Sequence, residues 1–323
     1  MGISNNMDFK IKILFLVIFL SFTIIFIAFA FSFSGFNYPF NPYQKKNDEG
    51  KLEGTYNWYV SLGLGESWSL ANGHLGEDWV LPKGADKEIK NENGEVKSTI
   101  PAELGQPVYA IADGVVFKVA PWPECPRDKS HGWGGVVLIK HQILDDVDKT
   151  FDLTNTILPD PKDNEEDKKA EEKRVQELEK QGTKVVYSMY GHLKNIQVKE
   201  GDTIKKGDKV GEIGEVCYEG STKKYAPHLH LEIKNQEAIK EDIIIDNIPG
   251  VGRGYSYTTA YAPNRYIPSK FIENNKNLVI EEKPITQKPS SIPPTPEGLT
   301  SSEENLSFWD KIAFYWNGFV ANV

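Results

Sequence analysis

The sequence predicts an all-β protein built mainly of antiparallel sheets. Three observations carry that reading. Short runs rich in Val, Ile and Tyr recur along the middle of the chain. Gly-Asp and Asp-Gly turns separate them. No sustained 3.6-residue apolar period runs through them, so an alternating βαβ pattern is excluded.

The runs, in order, are Pro107–Ala120, Gly135–His141, Lys184–Tyr190, Asp208–Ile213 and His228–Ile233. We assign residues 57–274 to one domain. One segment inside it breaks the pattern. Residues 160–182 are mostly charged helix formers, opened by Asp160-Pro161 and stopped by Gly182. Val175 and Leu178 are nearly their only apolar residues. They read as a solvated helical insertion between two strands, with a partner-docking arm as the alternative.

The flanks differ in kind. Residues 13–33, within a segment 1–34, carry no charge and are long enough to cross a bilayer as a helix. They read as an uncleaved anchor, or as a signal peptide cut after Ala28-Phe29-Ala30. Either places the rest of the chain in the cell envelope, periplasmic or extracellular, or secreted after cleavage. Residues 35–56 read as a spacer. Residues 275–304 read as a linker, with Pro284, Pro289, Pro293, Pro294 and Pro296 among Ser, Thr and Glu. In residues 305–323, Phe308, Ile312, Tyr315 and Phe319 recur at helical spacing. That predicts an aromatic amphipathic helix that docks on the domain, a membrane or a protein partner.

Composition narrows the function. With 37 basic and 46 acidic residues the formal net charge is −9, which argues against nucleic acid as a partner. Two cysteines are too few for a Cys₄ zinc site. At 39% hydrophobic and 26% charged the chain is neither disordered nor fibrous.

Histidines carry the chemistry. His74-Leu75-Gly76-Glu77-Asp78 presents an imidazole and a carboxylate from a glycine-bearing turn. His228-Leu229-His230-Leu231-Glu232 is a strand, so His228 and His230 share one face and the leucines the other. His192 follows Tyr190-Gly191 at the end of another β-run, and His141 ends a third. Each block alone is more often a surface accident or a structural histidine than a site. Together they allow a zinc site with three ligands, His74, Asp78 and His230, and a fourth position for water. His192 and His228 would then be the proton-handling pair above that water.

This arrangement resembles the lysostaphin-type (LytM-like) zinc endopeptidases, most of which are peptidoglycan hydrolases. The blocks that carry the resemblance occur in the family's order over roughly residues 70–235. They are His74–Asp78, Gly105–Ala110, Asp113–Val116, Val136–His141, Tyr190–Leu193, Gly201-Asp202 to Gly211, and His228–Glu232. The resemblance implies that His74, Asp78 and His230 bind Zn²⁺ and that His192 and His228 are catalytic. It implies a structural role, or one behind the ligands, for His141. It implies stem peptides or cross-bridges of peptidoglycan as substrate. Several loops depart from the pattern: residues 79–104, the helical insertion, and the bulky EVCYEGSTKKYAP before His228. An Arg usual upstream of the first ligand is not evident. Cys125 and Cys217 fall in loops expected to wall the groove. An oxidising compartment lets them pair; the alternative is two free thiols.

Two rival functions follow. One is a non-catalytic or auto-inhibited module of the same family that activates another cell-wall hydrolase; the complete histidine set argues against it. The other is a lipoyl-like carrier, suggested by Val198–Asp202 and Gly207–Val210; the histidines have no role in a carrier.

Overall fold

A computed structural model describes residues 33–280, apart from residue 48 and the stretches 68–72, 126–130, 218–221, 244, 257–261 and 263. The expected membrane segment, except Phe33, lies outside the described residues. So do residues 281–304 of the linker and the expected 305–323 helix. Among the described residues no helix is long and apolar enough to cross a membrane.

The fold is mostly antiparallel β with few helices, as the turn-punctuated runs predict. The chain opens with β1 (Phe33–Ser34), the hairpin β2 (Tyr43–Lys46) and β3 (Leu52–Tyr56), then β4 (Tyr59–Leu62). The strands β5 (Gly73–His74) and β6 (Glu77–Val80) follow. A hairpin, β7 (Lys87–Lys90) and β8 (Val96–Ile100), has every strand residue exposed. It accounts for the extra length between Asp78 and Gly105. Next come β9 (Pro107–Tyr109), β10 (Gly114–Pro121) and β11 (Gly135–Gln142). Helix α1 (Glu165–Gln181) interrupts before β12 (Val185–Lys194), β13 (Thr203–Ile204), β14 (Lys209–Ile213) and β15 (Leu229–Lys234). Helix α2 (Gln236–Glu241), β16 (Tyr255–Ser256), β17 (Arg265–Tyr266), α3 (Pro268–Asn275) and β18 (Val279–Ile280) complete the described chain.

Among the described residues ten strands form the main sheet, in the order β13-β10-β11-β12-β15-β6-β4, with β14, β9 and β17 branching from it. Its two faces hold different cores. Val137, Ile139, Val186, Tyr190, Leu229 and Leu231 point into the larger one. Val136, Leu138, Tyr187 and Met189 point into a smaller one on the opposite face. Strand alternation separates the two sets.

Two expectations need correction. The expected spacer, residues 35–56, is tied into the core at its start. Phe36 is 2% exposed, and its ring meets Phe33, Phe151 and Phe271. Aromatic content of that kind is core material, and β1 pairs with β18 in a two-stranded sheet that brings both ends of the described chain together. The second correction is where the insertion starts. Asp160-Pro161 does not open the helix; Asn164 does, its Oδ1 accepting the Asp167 N–H at 2.8 Å. Residues 160–163 lead up to it, with the Asp160 N–H donating to Glu171. Glu171 and Val175 are the residues that α1 buries.

Candidate metal centre

The five histidine and aspartate positions predicted for the site come together on one face of the sheet. Strands β6 and β15 pair with Asp78 opposite His230. On the other side of β15, Gly191 of β12 lies opposite His230. His74 arrives from β5, which pairs with Tyr255-Ser256 of β16. Gly76 is required between His74 and Asp78. A Cβ there would lie 2.5 Å from the Leu231 carbonyl oxygen and 2.9 Å from His230 Nε2.

Three donor atoms face one another. His74 Nε2 is 2.9 Å from His230 Nδ1 and 3.2 Å from Asp78 Oδ1, and His230 Nδ1 is 3.0 Å from Asp78 Oδ1. A tetrahedral zinc with bonds of roughly 2.0–2.1 Å separates its ligand atoms by roughly 3.3 Å, so the triangle is the right size. The rear nitrogens are occupied. His230 Nε2 is 3.0 Å from Glu232 Oε1, and His74 Nδ1 is 3.3 Å from the Gly63 carbonyl oxygen. Each rear contact favours a proton on the rear nitrogen and a lone pair on the front one. All three residues are buried. The donor set therefore fits a borderline metal such as Zn²⁺.

His192 and His228 stand beside this triangle, ring centroids 4.4 Å apart. His228 directs Nε2 to 3.4 Å from Asp78 Oδ1 and Nδ1 to the Ala226 carbonyl oxygen at 2.7 Å. His192 reaches the site by a backbone device. Strand alternation would send it to the same face as Tyr190, in the larger core. A φ of +59° at His192 breaks the alternation and turns its ring toward His230 and Trp133. That conformation is rare outside glycine and costs about 1–2 kcal/mol. The Trp133 carbonyl oxygen, which takes both the His192 backbone N–H at 2.9 Å and Nδ1 at 3.1 Å, holds it. The Trp133 ring stacks on His192, and Tyr225 lies 5.5 Å from the same imidazole.

Electrostatics divides these groups. Burial pushes His192 well below its ordinary pKa, and the charges of His228 and His230 add to that. Burial acts the same way on His228, but the Asp78 carboxylate outweighs it and holds that imidazole above its usual value. For His230, burial is overcome by hydrogen bonds to Asp78 and Glu232, and the pKa rises to about 9. Asp78 is held well below the carboxylate range: burial opposes, and the charges of His228 and His74 with hydrogen bonds from His228 and His230 prevail.

His141 lies elsewhere, on the face of the larger core. Its Nδ1 is 2.8 Å from the Asp113 carbonyl oxygen and its Nε2 2.8 Å from Ser188 Oγ. Ser188 Oγ lies 3.1 Å from Tyr190 Oη, which accepts the Ile111 N–H. Cys125 and Cys217 are joined in a disulfide with Cα atoms 5.5 Å apart. It ties the loop after β10 to the loop that leads to Tyr225 and His228.

Sequence reasoning missed Trp133, Tyr225 and the charged residues behind His230. For Trp133 the signal was its place in a Gly-Trp-Gly-Gly run, where the backbone can approach closely. For Tyr225 it was the bulky loop itself.

Residues 166–241 match the model of Peptidase family M23. No curated protein matches the chain by sequence. Among solved structures, a zinc-containing peptidase from Vibrio cholerae is 19% identical, over 62% of this chain and 36% of that one, with a TM-score of 0.29. The catalytic domain of lysostaphin from Staphylococcus simulans is 17% identical, over 68% of this chain and 92% of that one, TM-score 0.31. A chain of a SpoIIIAH–SpoIIQ complex is 16% identical, over 60% and 92%, TM-score 0.28. The chain thus spans about a third of the length of the Vibrio protein. The resemblance rests on the motifs and the family match, which covers His192, His228 and His230. On that footing the chain is similar to the lysostaphin-type, LytM-like peptidases of family M23.

Proposed function

We propose that this chain is a zinc-dependent endopeptidase that cuts peptide cross-links of peptidoglycan. The observation that carries the reading is the meeting of two sets on one face of the sheet: three buried donors at metal spacing, and two imidazoles beside them. A structural zinc site would use four protein ligands and would have no need of the second pair.

When bound, zinc would polarise the scissile carbonyl and lower the pKa of a water to about 7. The chain's own residues supply the rest. His74, Asp78 and His230 hold the ion. His192, with Nδ1–H directed to the Trp133 carbonyl oxygen, leaves Nε2 as the acceptor for the water's proton. His228, whose pKa the Asp78 carboxylate raises, can donate a proton to the leaving amine or stabilise the tetrahedral oxyanion. Trp133 and Tyr225 flank the His192 imidazole.

Peptidoglycan as substrate rests on the family likeness. The net charge of −9 gives no electrostatic attraction to an anionic wall polymer, so recognition falls to the shape of the loops. From the sequence, we place the chain in the cell envelope, with residues 13–33 as anchor or signal and residues 305–323 as an amphipathic helix that docks on the domain, a membrane or a protein partner.

The test is digestion of purified peptidoglycan by the full chain, with products read by mass spectrometry. New amino termini that vanish with chelator and return with zinc support the proposal and name the bond. No cleavage by a chain that holds one zinc sinks it in favour of the regulatory reading.

A further inference from the structure

Behind His230 lies a closed cluster of charges that the reaction does not use. Glu232, Lys234, Asp242 and Arg265 are all buried, Lys234 completely. Lys234 Nζ is 2.9 Å from Glu232 Oε2 and 2.7 Å from Asp242 Oδ2. Arg265 Nε is 3.3 Å from Glu232 Oε2, and its Nη2 reaches both Asp242 oxygens at 2.7 and 2.6 Å. The four formal charges sum to zero. Such a cluster is weak evidence for stability, since apolar replacements of the same volume are often as stable.

Its connections point to another role. The two Glu232 oxygens are divided: Lys234 and Arg265 take Oε2, and Oε1 is left to His230 Nε2. The cluster also reaches the second histidine donor. Lys234 Nζ donates to the Gly250 carbonyl oxygen. Gly252 packs on Asp242, where a Cβ would lie 2.7 Å from Oδ1. From there the chain gives the Gly252 carbonyl oxygen to Trp133 Nε1, the Gly254 carbonyl oxygen to the Leu75 N–H, and β16 to His74. Asp242 and Arg265 lie beyond the segment that matches the family model.

We infer that Lys234, Asp242 and Arg265 are positioning residues for the metal centre: they fix the Glu232 carboxylate so that His230 keeps its proton on Nε2 and turns Nδ1 to the metal. The inference rests on the metal-site reading above. Outer partners of this kind, when removed, lower metal affinity by about 10–100-fold.

The experiment is a double-mutant cycle on the full chain, with zinc affinity measured by chelator competition and the His230 ring nitrogens followed by ¹⁵N NMR. Glu232→Gln is expected to weaken zinc about 10–100-fold and to release the ring proton from Nε2. Arg265→Lys, which keeps the charge and loses the fork, is expected to weaken zinc about tenfold in the native background and not further in the Glu232→Gln background. Equal losses in both backgrounds would show Arg265 to be merely structural and overturn the inference. So would Glu232→Gln with unchanged affinity and an unchanged ring proton, a result that stands even if Arg265→Lys does not fold. A native chain that binds no zinc would overturn the metal reading and the inference with it; native binding with unchanged variants would overturn the inference alone.

Discussion

His141 and His230 are both fully enclosed, on strands separated only by β12, yet their surroundings drive them in opposite directions. His141 has a carbonyl oxygen and a hydroxyl as partners, and burial pushes it down to about 4. His230 has two carboxylates, and they lift it to about 9 against the same burial. Uncharged partners make a histidine a neutral brace. Ionised partners make it a seat for a cation, whether that cation is a proton or a metal. The difference is set by strand parity: Asp78 and Glu232 share the face of His230, while Ser188 and Tyr190 share the face of His141.

The largest expected effect falls on the cation seat. His230→Ala removes a donor and should abolish zinc binding and cleavage together, as metal analysis and product assays would show. Zinc retained at native affinity would break the comparison at its root. Next is the disulfide on the wall of the seat. The chain-entropy model for a separation of 92 residues gives about 4.6 kcal/mol, to be lost in Cys125→Ser by urea unfolding. His141 should titrate as a brace does. The unfolded imidazole binds a proton near pH 6.5 and the folded one near pH 4, so stability is full above pH 6.5 and falls as pH drops through 4. That loss is about 3 kcal/mol. His141→Asn should flatten the fall between pH 6.5 and 4, and an unchanged slope would remove His141 from the account. The smallest effect is a control on neither cluster. Asn164→Ala removes the cap of the solvated α1 and should cost about 1 kcal/mol with zinc affinity unchanged.

The comparison also marks what the chain discloses before it folds. The all-β class follows from turn-punctuated Val, Ile and Tyr runs, and the structure builds β10, β11, β12, β14 and β15 on them. His74, Asp78, His228 and His230 are legible because a glycine turn and a two-residue strand period fix their directions. His192 is legible by motif only; alternation alone sends it to the wrong face, because a positive φ leaves no mark in the residue pattern. Lys234, Asp242 and Arg265 were not legible. Charged residues are rarely buried, so in a sequence they read as surface. Phe36 misled for the opposite reason: a short aromatic stretch beside polar residues looks like a tether until its rings are seen inside the core. Helix α3 had a signal, Pro268 at its first turn, but eight residues are too few for a period to show.

The central claim is a division of labour: three residues hold the metal and two imidazoles move protons. The measurement that tests it most directly is zinc content and peptidoglycan cleavage for His192→Ala in the full chain. The account predicts one zinc per chain, as in the native protein, with a rate lower by about 10²–10⁴-fold. Loss of zinc with the substitution, or cleavage at the native rate, would contradict it.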